Sequence, residues 1–395
     1  MNSEHSPEVS LIFWALFKVK NLPVISDGWK ILKDCQNCLR PNRQEYQMRD
    51  DRVEPKWINL FSEVFRLNGI DPDVTVTILS ESQSRSLNVA IAELAVARIG
   101  ARPCLVTLPT PSNPAPVPIR STGASAVLQG NRPALAAMKE SQVVIDLTVE
   151  GLLHAPELPA ILAGGARVLM ISNEHPEALE RLRPDPALEA KVRDGIRRLK
   201  AASRMHVTSA AGSDLQIDLR GARAGGTWGF STKPGTVAHW PGGLCLCFPA
   251  AGSVNGRLVL APGDINLTFK RYLETSVTLD IADDHVVRIS GSGLDAALME
   301  SYFAAWGDRA AYATSHVGWG MNPAARWDAM ALYDKAQTNG TEQRAFAGNF
   351  LYSTGANEVA GRHTLGHFDL PMRGCTVTLD GTPVVSAGKL APELE

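Results

Sequence analysis

Gly366-His367-Phe368-Asp369-Leu370 sets an imidazole and a carboxylate two residues apart, between a turn-rich stretch and Pro371. The simplest reading of this segment is a short strand, in which residues i and i+2 point to the same face. His367 and Asp369 would then stand side by side as ligands for a divalent metal. A histidine hydrogen-bonded to a neighbouring aspartate has the same spacing, so both readings stay open. Upstream, Ser315-His316-Val317-Gly318-Trp319-Gly320 places another imidazole among small residues that allow close backbone approach. Two neutral imidazoles and one carboxylate form the facial set that suits non-haem Fe(II), with positions left for water, dioxygen and substrate. Such a site keeps about one net positive charge and favours an anionic hydroxyl. The competing reading of His316 is a buried histidine satisfied by a backbone carbonyl.

These side chains need a scaffold, and the chain has two textures. From Asp73, strand-like and helix-like segments alternate: Val74 to Leu79 is β-rich, and Leu87 to Ile99 repeats apolar residues near helical spacing. Short apolar strands follow at 103–108, 143–147 and 167–171, with helical stretches around 134–139 and 158–162. Residues 188–202 close this part with Val192, Ile196 and Leu199 on one face. The rhythm predicts a three-layer α/β domain with a mostly parallel sheet. The proline-rich run 109–118 can be neither helix nor central strand and is expected to loop over the strand ends. After Arg204 come short β-type runs punctuated by glycine, at 205–209, 215–219, 244–248, 257–260, 277–281 and 286–289. They predict an antiparallel-rich α+β domain, with one helix, 294–306, packed on its sheet. The expected division is 48–203 for the α/β domain and 204–395 for the β-rich, metal-binding domain. Residues 1–47 lack periodicity and are expected to be an upstream extension, with Met48 as the natural start.

At 395 residues, 45% apolar and 20% charged, the chain is long enough for two buried cores. Its 39 Lys and Arg against 41 Asp and Glu leave a formal charge of −2, with no long block of one sign. Nothing there offers a footing for nucleic acid or an acidic membrane. Six cysteines, at 35, 38, 104, 245, 247 and 375, are too sparse for a disulfide framework and argue for a reducing, cytoplasmic setting. Cys35 and Cys38 make a lone CxxC and are read as incidental. Leu11 to Phe17 is too short to span a bilayer and follows Glu4 and Glu8 rather than positive charge.

Motifs after about residue 70 make the resemblance specific. They are His206-Val207-Thr208-Ser209 through Gly212-Ser213-Asp214, Gly263-Asp264-Ile265, Ser315-His316-Val317-Gly318-Trp319-Gly320, Gly348-Asn349-Phe350-Leu351-Tyr352-Ser353-Thr354-Gly355 and His367-Phe368-Asp369-Leu370-Pro371. In this order they resemble the 2,5-dihydroxypyridine 5,6-dioxygenases of nicotinate and nicotine degradation. The resemblance implies Fe(2+) bound by His316, His367 and Asp369, and extradiol-type opening of a hydroxylated pyridine ring by dioxygen to an N-formylmaleamate-type product. Spacing only permitted the iron. It also implies roles for three further residues. His154 lies in the loop after strand 143–147, at the carboxyl ends of parallel strands where open α/β sheets bind ligands. With His239, in His239-Trp240-Pro241, it is expected to manage substrate hydrogen bonds and protons. Ser353 is expected to donate its hydroxyl to the substrate. The bland alternatives are a surface-loop histidine, a packed turn residue beside Trp240, and a turn-capping serine.

The fold also resembles thermophilic-type aminopeptidases, so a metal-dependent hydrolase is the alternative function. Those enzymes carry a glutamate ligand where this chain reads Pro241-Gly242-Gly243-Leu244, and leucine cannot bind a metal. Their second glutamate segment is matched by His316. Fewer carboxylates favour one metal over two dications. A further alternative is a dioxygenase of another hydroxylated ring. Where the dioxygenases show an acidic residue before His239, this chain reads Thr227-Trp228-Gly229-Phe230. A homo-oligomer is expected, with subunit contacts closing the pocket. His363, beside Arg362 in a loop, is expected to be exposed. Trp319 and Trp327 are expected in the core, and His206 with Ser213-Asp214 lacks a nucleophile-elbow pattern.

Overall fold

Near-continuous burial along short apolar strands marks a sheet covered on both faces. The computed structural model describes residues 52–113, 115–117 and 125–395. The expected extension 1–47, its Cys35–Cys38 pair and part of the proline-rich run lie outside the described residues. The first sheet has the order Pro103–Leu108, Val76–Glu81, Val143–Asp146, Arg167–Ile171, Val237–Trp240, and every pairing is parallel. Val143, Ile145, Leu169 and Ile171 point into a core shared with Trp57, Phe61 and Phe65 of helix Pro55–Leu67 and Ile91 and Val96 of helix Ser86–Ile99. Val144, Val168 and Met170 point to the other face, against Met138 of helix Arg132–Glu140 and Ile161 of helix Leu158–Ala163. This is the expected three-layer arrangement, in which parallel strands are buried on both sides.

The last strand of that sheet, Val237–Trp240, comes from beyond residue 204. The division at 203/204 therefore follows sequence order and not sheet membership. The chain leaves the parallel sheet, forms antiparallel strands, and returns once.

The remaining strands make two large antiparallel sheets around one core and a two-stranded antiparallel pair, Ile265–Asn266 with Arg271–Tyr272. An eight-stranded sheet runs His285–Ser290, Val277–Ala282, Val254–Leu260, Asp214–Asp218, Arg204–Ser209, Cys375–Leu379, Thr382–Ser386, Lys389–Leu390. A five-stranded sheet, the site sheet, runs Phe368–Met372, Phe350–Thr354, Thr314–Gly320, Leu244–Phe248, Arg223–Thr227. Helix Leu294–Trp306 has the expected bounds and packs Tyr302 and Phe303 on Phe368, with ring centroids 4.5 and 4.8 Å apart. Helix Pro186–Ala201, capped by Asp185, lies against the site sheet at glycine. A Cβ on Gly226 would stand 2.8 Å from Val192 Cγ1 and 2.5 Å from the Leu244 carbonyl oxygen, so only glycine allows this approach. Among the described residues no helix is long and apolar enough to cross a membrane.

Candidate metal centre

Register across the site sheet lines up the expected ligands. Asp369 pairs with Ser353 on the neighbouring strand. One strand further, Thr314 pairs with Thr354 but Val317 pairs with Tyr352, so Ser315 and His316 together oppose Ser353. This is a β-bulge, which re-aims a side chain out of the ordinary alternation. The row continues to Phe248, whose ring centroid lies 5.5 Å from that of His316, and to Arg223, which pairs with Phe248 and stacks its guanidinium 5.4 Å over that ring. His367 sits one residue before its strand, which begins at Phe368, so the expectation that both members of the pair lie within the strand holds for Asp369 alone. The two still converge, with His367 Nε2 3.1 Å from Asp369 Oδ2.

Hydrogen bonds fix which atoms are available. The Ser315 hydroxyl donates to the Ala356 carbonyl, and so accepts from His316 Nδ1 at 3.1 Å. That assigns the ring proton to Nδ1 and leaves a lone pair on Nε2. His316 Nε2 stands 3.7 Å from Asp369 Oδ1. Burial lowers the His316 pKa to about 4, outweighing the pull of Asp369, so the ring is neutral. Burial alone would raise the Asp369 carboxyl. Arg344, then His367 and His316, outweigh that and hold it well below the ordinary range. A lone pair thus faces a carboxylate oxygen across a short gap, an arrangement of two acceptors that a cation satisfies. Ser353 Oγ donates to Asp369 Oδ1 and Arg344 Nε to Oδ2 at 2.5 Å, which leaves each oxygen a further lone pair. Among the described residues no three acidic, imidazole or thiol groups stand at coordination spacing. The donor set nevertheless fits one divalent ion: two imidazoles and a carboxylate, all buried.

The α/β side supplies the opposite wall. His154, in the loop after Val143–Asp146, faces the expected ligands, with ring centroids 6.0 Å from His316 and 5.6 Å from His367. Burial first, then the neighbouring His367 and His316, push its pKa well below 6.5. Among the described residues its ring nitrogens make no hydrogen bond. The loop is held by two buried carboxylates: Asp146 accepts from Thr148 N and Leu152 N, while Glu81 accepts from Val149 N at 2.7 Å. His239, on strand Val237–Trp240, has Nδ1 3.1 Å from the Pro241 carbonyl, so Nδ1 carries its proton. Burial lowers its pKa to about 4. Thr227, where the expected acid is replaced, bonds through its hydroxyl to the main chain of His239 at both N and O, each at 3.0 Å. A cavity of about 680 Å³ joins His154, His239, His316, His367, Asp369 and Arg344, with Leu244 and Leu246 on its apolar side.

Ser353, expected to donate its hydroxyl to the substrate, donates it to the Asp369 carboxylate. Arg344 was not anticipated. It lies on a short helix, Thr341–Ala345, and its partner Asp369 is 25 residues away. The one local signal was Gly320, whose Cβ would clash at 2.2 Å with the Phe346 carbonyl, marking where that segment crosses the sheet. His206 and Asp214 pair with each other at 2.8 Å near the surface, and Ser213 bonds the main chain of Val259, so no triad forms. His363 is exposed and Trp319 fully buried, as expected, whereas Trp327 is half-buried with its Nε1 on the Gly263 carbonyl.

Comparison with known proteins follows the same lines. A sequence model described as NicX, 2,5-dihydroxypyridine 5,6-dioxygenase, matches residues 56–392. The 2,5-dihydroxypyridine 5,6-dioxygenase of Pseudomonas putida KT2440 is 37% identical over 339 residues, which are 85% of this chain and 96% of that protein. The solved structure of the 2,5-dihydroxypyridine dioxygenase from P. putida KT2440 superposes with a TM-score of 0.80 at 35% identity, covering 86% of this chain and 98% of that one. Wild-type AmpT from Thermus thermophilus shares the fold, with a TM-score of 0.51 at 15% identity over 85% of this chain and 98% of its own.

Proposed function

On the premise that this chain belongs to the 2,5-dihydroxypyridine 5,6-dioxygenase family, we propose that it opens the ring of 2,5-dihydroxypyridine with dioxygen at one ferrous ion held by His316, His367 and Asp369. The enzyme is a ring-cleaving dioxygenase. Both oxygen atoms of dioxygen enter the product, N-formylmaleamate, so no other reductant is required. The observation that carries the metal assignment is the lone pair of His316 Nε2 directed at the Asp369 carboxylate. A ferrous ion in this set supplies open coordination positions and the electron transfer that joins a singlet ring to triplet dioxygen.

The protein's own groups bind, orient and move protons. Ser353 and Arg344 hold the Asp369 carboxylate in one orientation and keep it ionised. His154, neutral and with uncommitted ring nitrogens, is placed to take the proton of a substrate hydroxyl as it binds. His239 has its proton fixed on Nδ1, so Nε2 is an acceptor for a second substrate group. Leu244, Leu246 and Phe248 exclude water beside the ring. The partners are a small aromatic substrate and dioxygen. Free thiols at Cys104, Cys245, Cys247 and Cys375 support a reducing, cytoplasmic setting. Self-association that closes the cavity is part of the same reading.

Anaerobic loading with Fe(II), followed by oxygen uptake on 2,5-dihydroxypyridine, tests the proposal. Stoichiometric uptake with appearance of N-formylmaleamate is expected. Zinc-supported peptide cleavage without oxygen consumption would replace it with the hydrolase.

A further inference from the structure

Arg344 stands out among the charged groups around the cavity. Arg223 is paired with Glu358 at 3.4 Å and stacked on Phe248. Arg344 spends Nε on Asp369 and Nη1 on the Asn339 carbonyl at 3.3 Å, and among the described residues Nη2 makes no hydrogen bond. Its side chain is about four-fifths buried.

The segment that carries it is fixed from both sides of the cleft. Glu174, in the loop after strand Arg167–Ile171, is buried and accepts from the main-chain nitrogens of Asn339, Gly340 and Thr341 at 2.7, 2.8 and 3.0 Å. Arg181 makes a bidentate pair with Glu342 at 2.8 Å on each oxygen. From the site sheet, Asn349 Nδ2 donates to the Arg344 carbonyl at 2.7 Å. Three independent ties for five helical residues set a guanidinium against the metal-binding carboxylate with little freedom to move.

We propose that Arg344 is the specificity-determining residue that recognises the second ring oxygen, the one the metal does not take. The assignment rests on the metal-dependent dioxygenase reading above. With two neutral imidazoles, one carboxylate and a dication, Arg344 brings the local charge to about +2, which suits a ligand with two oxygens, at least one of them anionic. Nη2 offers a planar donor adjoining the bond already made to Asp369, so a single guanidinium orients ligand carboxylate and substrate together.

The test compares full-length wild type, Arg344→Gln and Arg344→Lys, each loaded anaerobically with Co(II), which binds ligands without turnover. Calorimetry measures the affinity for Co(II), then for 2,5-dihydroxypyridine, 2-hydroxypyridine and 3-hydroxypyridine. Arg344→Gln is expected to weaken the diol by roughly 10- to 100-fold and one of the two mono-hydroxy ligands by less than about threefold. Arg344→Lys, which keeps the charge, should recover part of the loss. Were Arg344→Gln to lose Co(II) while Arg344→Lys kept it, the same ligand panel would be read on Arg344→Lys. Equal weakening of all three ligands, no weakening of the diol, or loss of Co(II) in both variants would overturn the proposal, because Arg344 would then act through Asp369 or not at all. Wild type that bound none of the three would instead overturn the substrate reading on which the proposal rests, a result visible without any variant.

Discussion

The two walls of the cavity are built differently. On the site sheet, Asp369, Ser353, His316, Phe248 and Arg223 stand in one row set by strand register. Every polar group in that row that approaches the proposed metal position is also bonded behind it: Ser315 to His316, Ser353 and Arg344 to Asp369. On the α/β wall, His154 rides on a loop and its ring nitrogens have no partner among the described residues. His367, one residue outside the row, has a buried Nδ1 with no hydrogen-bond partner among the described residues. His316 and Asp369, by contrast, are rigid, doubly bonded donors of the kind that suits an ion held in one geometry. An imidazole with uncommitted nitrogens suits a proton that must arrive and leave. The contrast separates holding the metal from handling protons, even though the His154, His316 and His367 rings are nearly equidistant.

Four changes would break or sharpen that separation. The largest effect is expected from His367→Ala or Asp369→Ala: oxygen uptake should fall by roughly a thousandfold or more, since several kcal/mol of metal catalysis is removed. His154→Ala comes next, with kcat lowered roughly 10²- to 10⁴-fold while Fe(II) binding stays near wild type. A variant that lost metal and turnover together would make His154 a ligand and erase the distinction between the walls. Ser353→Ala should weaken metal affinity by roughly 10- to 100-fold, measured by competition with a chelator, and leave KM for the substrate within about threefold. A large KM effect with unchanged metal affinity would return Ser353 to the substrate contact first expected of it.

The smallest effect concerns stability. His239 has a folded pKa of about 4, below its ordinary 6.5, because burial disfavours the charged ring. A histidine depressed on folding takes up its proton more readily when unfolded, so stability falls as pH drops from about 6.5 towards about 4. Thermal melts of wild type and His239→Gln should diverge over that window by about 1–2 kcal/mol. Parallel curves would mean that the ring is solvated in the folded protein.

Legibility in the sequence followed locality. The strands Pro103–Leu108, Arg167–Ile171 and Leu244–Phe248 and the helix Leu294–Trp306 were readable to the residue, because each is an apolar run or repeat bounded by turn formers. Arg223–Thr227 was not, because its Arg-Ala-Gly-Gly-Thr run gives up strand-type side chains to let a helix approach. Val237–Trp240 is four residues long, and its return to the parallel sheet depends on pairing with a strand some 70 positions earlier. The HxD pair and the histidine among glycines were visible as residue types. Their convergence needed the bulge at Ser315 and His316, which no local pattern announces. The ordered family motifs supplied what spacing could not. Arg344 stayed hidden because a charged residue on a five-residue helix reads as surface until the fold sets it over Asp369.

Metal content per chain decides the central claim. Wild type, His154→Ala and His367→Ala would be loaded anaerobically with Fe(II), desalted and analysed for metal. One iron per chain in wild type and His154→Ala, with essentially none in His367→Ala, is the expected result. Iron retained by His367→Ala, or lost from His154→Ala, would contradict the assignment of the metal to the sheet and the proton to the loop.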